Sequence, residues 1–129
     1  MLHHISLGVA NLETAGAFYD AALEALGFRR VFEASTAIGY GVEDGKDKLC
    51  LKLQPAARAP GPGFHLAFDA LSREAVASFH AAGLTAGGTD NGAPGLRPHY
   101  GEHYYAAFLV DPDGHHVEAV MNSPAHSDS

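Results

Sequence analysis

The chain has 129 residues, 47% of them hydrophobic, and a formal net charge of −7 at pH 7. This length suits one domain with one core, and the acidic balance, with no run of Lys or Arg, argues against nucleic acid as a partner. No apolar stretch is long enough to span a membrane, no signal-peptide pattern opens the chain, and the lone Cys50 excludes an intrachain disulfide, so we expect a cytoplasmic protein with no membrane partner.

In chain order, residues 2–9 alternate apolar and polar side chains, which predicts a strand. Asn11 is a good helix N-cap, apolar residues follow it at helical spacing, and Gly27 is a typical residue at a helix end. Three further strands are then predicted, over residues 28–33, 37–42 and 48–53. The first half, about residues 2–54, is therefore predicted to be β-α-β-β-β.

A joint rich in Pro and Gly, residues 55–63, separates this half from a second one, about residues 64–121. The second half is predicted to open with a strand, followed by a helix that Ser72 caps and that ends near Gly83. The remaining predicted segments are a short strand (85–86), a long loop (87–103), strands on either side of a tight turn (104–110 and 115–121) and a frayed polar tail (122–129).

The two halves carry an internal repeat. His4 and His65 are 61 residues apart, each on the less apolar face of the first strand of its half, and Phe18 and Phe79 share the same offset. Matching half-domains of this kind indicate a duplicated structural unit. A single domain built from two equivalent modules is therefore predicted for residues 1–129.

Three side chains could hold a metal ion. If the two halves form one curved sheet, His4 and His65 would converge inside it with Glu118 from the last predicted strand. Two imidazoles and a carboxylate suit Fe(II), Mn(II), Ni(II) or Zn(II) with open positions, to which a substrate would bind through two oxygens. The alternative for each histidine is a hydrogen-bonded structural role, and the repeat favours ligation.

The openings His-Ile-Ser-Leu-Gly-Val (4–9) and His-Leu-Ala-Phe (65–68), with the ending Phe-Leu-Val-Asp-Pro-Asp-Gly-His-His-Val-Glu (108–118), resemble the vicinal oxygen chelate superfamily over residues 2–121. That superfamily includes glyoxalase I, fosfomycin-resistance thiol transferases, extradiol dioxygenases and bleomycin-resistance proteins. The resemblance implies an α+β fold of two paired βαβββ modules. It also places His4, His65 and Glu118 on metal-ligand positions and implies a homodimer whose sites draw on both chains.

Departures from the subfamily patterns leave the reaction open. Glyoxalase I has a fourth ligand, a Glu late in the first half, where this chain offers Lys52 as the preferred match and Cys50 as the alternative. Phe108 stands where extradiol enzymes have a Tyr, and His103 lies too close to that position to match their His. Ser6 matches a fosfomycin-transferase hydroxyl, but no Arg follows Glu118 to hold a phosphonate.

The resulting hypothesis is a metal-dependent enzyme acting on a small oxygen-bearing substrate. Glyoxalase-like lyase or isomerase chemistry ranks slightly above extradiol-type oxygenation and fosfomycin-type thiol transfer. The rival hypothesis is a metal-free ligand-binding protein like the bleomycin-resistance members, although such a protein has no need of the His-His-Glu set.

The long predicted loop carries further candidates. Arg97 could bind a carboxylate or phosphate in bidentate fashion, and three residues are candidates for general acid or base: His99, Tyr100 and His103. The alternative is a solvated surface loop. Other predicted substrate contacts are Ser6, Lys52 and Tyr105, with the alternative that Lys52 reaches into water. We expect the remaining histidines to be exposed: His3, His80, His115, His116 and His126.

Overall fold

A computed structural model describes residues 1–124, so His126 and most of the predicted tail lie outside the described residues. Each half of the chain contains one helix and four strands in the order β-α-β-β-β, which confirms the predicted α+β fold of two modules. The helices are α1 (Leu12–Glu24) and α2 (Arg73–Thr85). The strands are β1 (Ile5–Val9), β2 (Arg29–Ala34), β3 (Ala37–Gly41), β4 (Leu49–Leu53), β5 (Leu66–Asp69), β6 (Thr89–Leu96), β7 (Tyr104–Val110) and β8 (His116–Asn122).

The strands form two separate four-stranded sheets with equivalent topology, β1-β4-β3-β2 and β5-β8-β7-β6. In each sheet the first strand of the module pairs in parallel with the last, and the other pairings are antiparallel. Within residues 1–124, the two sheets are not joined by hydrogen bonds into one curved sheet. The predicted convergence of His4, His65 and Glu118 depended on such a sheet.

The edge strands β1 and β5 belong to different sheets, face each other across a groove and run in opposite directions. A groove of about 230 Å³ is lined both by residues 2–5, at the start of β1, and by residues 66–69 of β5. At the other end of β1, the Ala10 N–H donates to Asp113 Oδ1 at 2.9 Å. Asp113 comes shortly before β8, and the start of β8 pairs with the start of β5. The equivalent ends of the two modules therefore lie at opposite ends of the molecule.

The helices begin where local sequence predicts. Asn11 accepts a hydrogen bond from the Thr14 N–H at 2.9 Å, and Ser72 accepts one from the Ala75 N–H at 3.0 Å, so each side chain satisfies a donor of the first helical turn. Gly27 follows α1 with φ of 88°, a conformation that favours glycine. Both helices pack on a core shared by the two halves, and none in the described chain is long and apolar enough to cross a membrane.

The second helix ends at Thr85, two residues beyond Gly83, near which its end was predicted, and the predicted strand over residues 85–86 is wrong. Gly83 lies inside the helix. Glycine is required at this position because a Cβ would stand 2.4 Å from Leu109 Cδ1 and 3.2 Å from Phe18 Cε1. The glycine thus allows α2 to approach α1 and the second sheet closely. Its role is packing and not helix termination.

The predicted loop over residues 87–103 contains the strand β6. Glycine and proline disfavour a regular strand interior, but β6 is at the edge of its sheet, where a missing N–H breaks no ladder on the outer side. Two register shifts near Gly92 absorb the irregular residues. The loop prediction was therefore wrong for residues 89–96 because edge strands tolerate this composition.

A buried polar network connects the two halves, and it includes His115, which was predicted to be exposed. The Tyr19 hydroxyl of α1 donates to Asp111 Oδ2 at 2.5 Å, and His115 Nδ1 lies 2.8 Å from the same oxygen. Asp111 Oδ1 accepts from the His115 N–H at 2.8 Å and the Asp113 N–H at 2.9 Å. Since these contacts satisfy a carboxylate that is fully out of solvent, the network is structural.

Replacing Gly88 with alanine is expected to lower the free energy of unfolding by ~1–3 kcal/mol, the usual range for overpacking. A Cβ there would lie 2.5 Å from Phe18 Cε1 and 2.9 Å from the Gly83 carbonyl oxygen, and the Phe18 ring is fully buried. Urea denaturation measures the change. Gly61→Ala is the control, since no atom of residues 1–124 lies within 4 Å of its added Cβ. An equal loss in both variants would contradict the packing argument.

Candidate functional site

The candidate site lies on the face of the second sheet that is turned away from α2, here called the site face. Glu118 of β8 pairs with Ala67 of β5 on one side and with Phe108 of β7 on the other, so these side chains share that face. His65, immediately before β5, has the parity of Ala67 and also projects there. The alternate residues of β8, Val117 and Ala119, point into the core.

His65 and Glu118, the donor pair, are in direct contact through His65 Nε2 and Glu118 Oε1. The Glu118 side chain is only 2% exposed, whereas that of His65 is 45% exposed. A buried carboxylate is costly unless it has polar partners, and here the imidazole is one of them. The structure thus brings together two of the three residues predicted as metal ligands.

Tyr104 is the second partner of Glu118, and it was not predicted. Its hydroxyl donates to Glu118 Oε2 at 2.5 Å. Burial, followed by this hydrogen bond and the carboxylate charge, raises the pKa of Tyr104 above its ordinary value, so the hydroxyl stays protonated and remains a donor. Both oxygens of Glu118 are therefore held by side chains of the second module.

Tyr105 was predicted as a substrate contact, but the structure does not bring it to the site face. Its ring packs against the hydrophobic core on the opposite side of the sheet, and the Arg73 guanidinium lies 4.9 Å from its centroid. Adjacent strand residues point to opposite faces, so only one of the two tyrosines can face the site. The residue that does so is Tyr104.

Replacing Tyr104 with phenylalanine is expected to lower the free energy of unfolding by ~1–3 kcal/mol, because a buried carboxylate oxygen loses its donor. Urea denaturation at neutral pH measures the loss. Tyr100→Phe is the control, since Tyr100 is 61% exposed and its change is expected within ~0.5 kcal/mol. Equal effects in the two variants would show that the Tyr104–Glu118 contact contributes nothing.

Arg97 follows β6 and lies on the site face. Its backbone N–H donates to the Tyr104 carbonyl oxygen at 2.7 Å, which aligns it opposite Tyr104. The guanidinium stands 5.3 Å from the centroid of the Phe108 ring, and that ring makes an edge contact with His65 at 5.8 Å between centroids. Arg97, Phe108 and the donor pair are therefore neighbours on one surface.

The three residues predicted as acids or bases lie in the turn between β6 and β7. The Tyr100 ring is 5.2 Å from that of Tyr104, and the His99 ring is 4.1 Å from that of Tyr100, so two of the candidates extend outward from the site in a row. His103 is paired with the exposed Glu102 at 3.6 Å. None of the three makes a hydrogen bond to the donor pair within the described chain.

His4 does not join the donor pair within one chain. It lies at the start of β1 and is exposed, with its Nδ1 2.8 Å from Nδ1 of His3. Because β1 and β5 run in opposite directions, His4 and His65 lie at opposite ends of the adjacent edges. In residues 1–124, no three His, Cys, Asp or Glu side chains of a single chain come close enough to hold one metal ion.

Lys52 and Cys50 were the two alternatives for a fourth ligand late in the first half. The register of the first sheet decides which of them is equivalent to Glu118 of the second sheet. Ser6, two residues after His4, pairs with Cys50, just as Ala67, two residues after His65, pairs with Glu118. The preferred match, Lys52, is therefore wrong: it pairs with Gly8 and is exposed. Burial and then Asp47 raise the pKa of the buried Cys50 thiol. Ser6 is exposed on the same face.

Among the histidines predicted to be exposed, His3 and His116 are exposed. His80 is buried, and its Nε2 lies 2.8 Å from Asp90 Oδ1, which ties α2 to β6. That prediction was wrong because His80 faces the sheet from the third turn of α2.

Comparisons with known proteins agree with this architecture. The family model of the Glyoxalase/Bleomycin resistance protein/Dioxygenase superfamily matches residues 1–119. A glyoxalase/bleomycin resistance protein from Albidiferax ferrireducens T118 is 34% identical, with a TM-score of 0.78 and coverage of 93% of this chain and 97% of that one. A comparison with curated proteins gave no match.

Two further solved structures are similar over nearly their whole length. One is a putative glyoxalase from Bacillus halodurans, 29% identical, with a TM-score of 0.71 and coverage of 94% and 95%. The other is a glyoxalase-related enzyme from Fulvimarina pelagi, 25% identical, with a TM-score of 0.73 and coverage of 100% and 94%. The chain belongs to the glyoxalase/bleomycin resistance protein/dioxygenase superfamily.

Proposed function

We propose that the chain is a divalent-metal-dependent enzyme acting on a small substrate that chelates the metal through two oxygens. Chemistry of the glyoxalase lyase or isomerase type ranks slightly above extradiol-type oxygenation and fosfomycin-type thiol transfer. The observation that carries this proposal is the donor pair: an imidazole nitrogen and a 2%-exposed carboxylate meet on the open face of a sheet.

The donor set fits a metal in part. Imidazole and carboxylate together suit Fe(II), Mn(II), Ni(II) and Zn(II), and Tyr104 holds Glu118 as outer partners of metal ligands do. One chain brings together only two donors in its described part. The third, His4, would come from a second copy whose first sheet covers the site face.

A symmetric homodimer would contain two such shared sites, because an isologous arrangement repeats every contact. The position of Phe32 supports a partner chain over the first sheet. Phe32 pairs with Gly39, and Gly39 pairs with Cys50, so Phe32 and Cys50 lie on the same face. Phe32 is 45% exposed in the single chain. An apolar ring of this size on the face that carries Ser6 and Cys50 favours a partner surface there.

The bound metal would act as a Lewis acid on the substrate oxygens. Glu118 would supply negative charge, and Tyr104 would keep its carboxylate oriented. The Glu118-equivalent position in the first module holds Cys50, so a second carboxylate base of the glyoxalase I kind is missing there. Proton transfer would then fall to other groups, for which His99, Tyr100 and His103 remain the candidates.

Elemental analysis tests the proposal after anaerobic purification, chelator treatment and reloading with each of the four metals. We expect about one ion per chain in the wild type, as for other single-site metalloproteins, and almost none in His65→Ala, which should remain folded because His65 is partly exposed. His99→Ala is the control and should keep its metal. A His65→Ala protein that unfolds yet retains metal would contradict the assignment.

The same experiment separates the alternatives. Preference for Fe(II) with oxygen uptake would favour extradiol-type chemistry. Failure to bind any metal, together with saturable binding of a ligand without turnover, would favour a ligand-binding protein like the bleomycin-resistance members.

A further inference from the structure

Within residues 1–124, Arg97 has no acidic partner, although the chain holds 15 acidic residues against 8 basic ones. Arg29 pairs with Asp44 at 2.7 Å, Arg30 with Asp20 at 2.7 Å. In the described part of the chain, no carboxylate lies within ion-pair distance of the Arg97 guanidinium, which donates to the Ala93 carbonyl oxygen at 2.6 Å. A half-buried guanidinium without a counter-charge retains donors for an added anion.

Two glycines of β6 leave space for the Arg97 guanidinium. A Cβ on Gly92 would stand 3.3 Å from Arg97 Nη2 and 2.8 Å from Phe108 Cδ1, and a Cβ on Gly95 would stand 3.1 Å from Nη1. Glycine at these two positions of β6 therefore lets the Arg97 guanidinium lie close to the strand, beside the Phe108 ring. A planar guanidinium held in this way is preorganised to bind an anion through two parallel hydrogen bonds.

The position of Arg97 relative to the donor pair sets a distance. Gly92 pairs with Phe108, and Phe108 pairs with Glu118, so the guanidinium and the carboxylate are two strand spacings apart. That separation is about 10 Å. The Phe108 side chain lies between them and touches both Arg97 and His65. The surface is therefore polar at both ends and apolar in the middle.

We propose that Arg97 binds an anionic group of the substrate, a carboxylate or a phosphate, at the end remote from the metal-chelating oxygens. This inference rests on the proposed function and narrows its substrate class. The substrate is then an acid whose two vicinal oxygens are separated from its anionic group by about one aromatic ring or a short carbon chain, which crosses Phe108.

Two probes that differ only in charge test this. Titration calorimetry of the Zn(II)-loaded protein compares 3,4-dihydroxybenzoate with 3,4-dihydroxybenzamide, since each has a chelating pair of oxygens but only the first has a carboxylate. We expect the wild type to bind the acid at least about tenfold more tightly, in keeping with a charge-assisted bidentate contact. Arg97→Met should abolish this preference and leave the affinity for the amide unchanged. Arg58→Met, at an exposed arginine of the joint, should retain it.

Equal binding of both probes by the wild type would overturn the assignment of Arg97 and leave metal chelation intact. If the protein takes up no metal, the proposed function fails, and the anion site is judged on the metal-free protein by the NMR signal of the Arg97 Nε–H. A shift on adding sodium benzoate or phenyl phosphate supports the site, and the tighter of the two identifies the anion. No shift with either overturns it.

Discussion

Asp111→Asn is expected to lower the free energy of unfolding by about 3 kcal/mol at pH 5–6, the scale for breaking a buried charged pair. The amide group would turn a donor toward the Tyr19 hydroxyl and His115 Nδ1, both of which now donate to Asp111 Oδ2. Urea denaturation measures the loss. Asp44→Asn is the matched control, because the Asp44 side chain is 88% exposed and its pair with Arg29 is worth little.

The size of this effect should depend on pH. Hydrogen bonding to Asp111 outweighs burial and raises the pKa of His115 above its ordinary value of 6.5. Burial by itself would raise the pKa of Asp111, but the hydrogen bonds from His115 and Tyr19 outweigh it and hold the pKa of that carboxyl below its ordinary value of 3.8. Both groups are therefore charged together in the folded state over a wider range than in the unfolded chain.

The sign of the dependence follows from linkage. A raised His pKa contributes stability that is complete below the unfolded value and is lost as the pH rises through the folded value, and a lowered Asp pKa contributes stability that is lost as the pH falls through its folded value. The two contributions are complete together between pH 3.8 and pH 6.5. The stability difference between wild type and Asp111→Asn should therefore be larger at pH 5.5 than at pH 9, and a constant difference would show that His115 is uncharged in the folded protein.

The helices and most strands could be predicted because their signals are local. Asn11 and Ser72 cap the helices through bonds that span three residues, and period-two alternation specifies a strand without knowledge of its neighbours. The strand β6 could not be predicted in this way, since its Gly and Pro residues are tolerated only because it is a bulged sheet edge. Edge position is a property of the whole sheet.

Part of the candidate site could be predicted from the sequence. Tyr104 could have been recognised, because the tight turn after Val110 aligns Phe108 with Glu118, and parity then puts Tyr104 on the same face. Cys50 could not be distinguished from Lys52, since the register between β1 and β4 depends on strands 44 residues apart, from Ile5 to Leu49. The position of His4 depends on how the two modules pack together, which no local pattern encodes.

Mixing two inactive variants should restore metal binding. His4→Ala and His65→Ala homodimers are each expected to bind almost no metal, because each loses one ligand from both sites. In a mixed dimer, the site built from the His65 and Glu118 of the His4→Ala chain receives an intact His4 from the other chain. The mixed dimer is therefore expected to bind half as much metal as the wild type, which elemental analysis of a doubly tagged, co-purified dimer measures.

The control pair is His65→Ala with Glu118→Gln. These two ligands lie on the same chain and touch each other, so every site of this mixed dimer lacks one of them and no metal should be recovered. Rescue in both pairs would contradict the shared-site geometry. A His4→Ala homodimer that keeps full metal would remove His4 from the ligand set while leaving the donor pair in place.

The rescue depends on the antiparallel placement of the two modules. If β1 and β5 ran in the same direction, His4 and His65 would meet within one chain and mixing could restore nothing. The start of β1 lines the groove together with β5, and Ala10 contacts Asp113 at the other end of β1. His4 therefore lies away from His65 and Glu118 of its own chain. A second copy with its first sheet over the site face is then the arrangement that lets one His4 reach each donor pair.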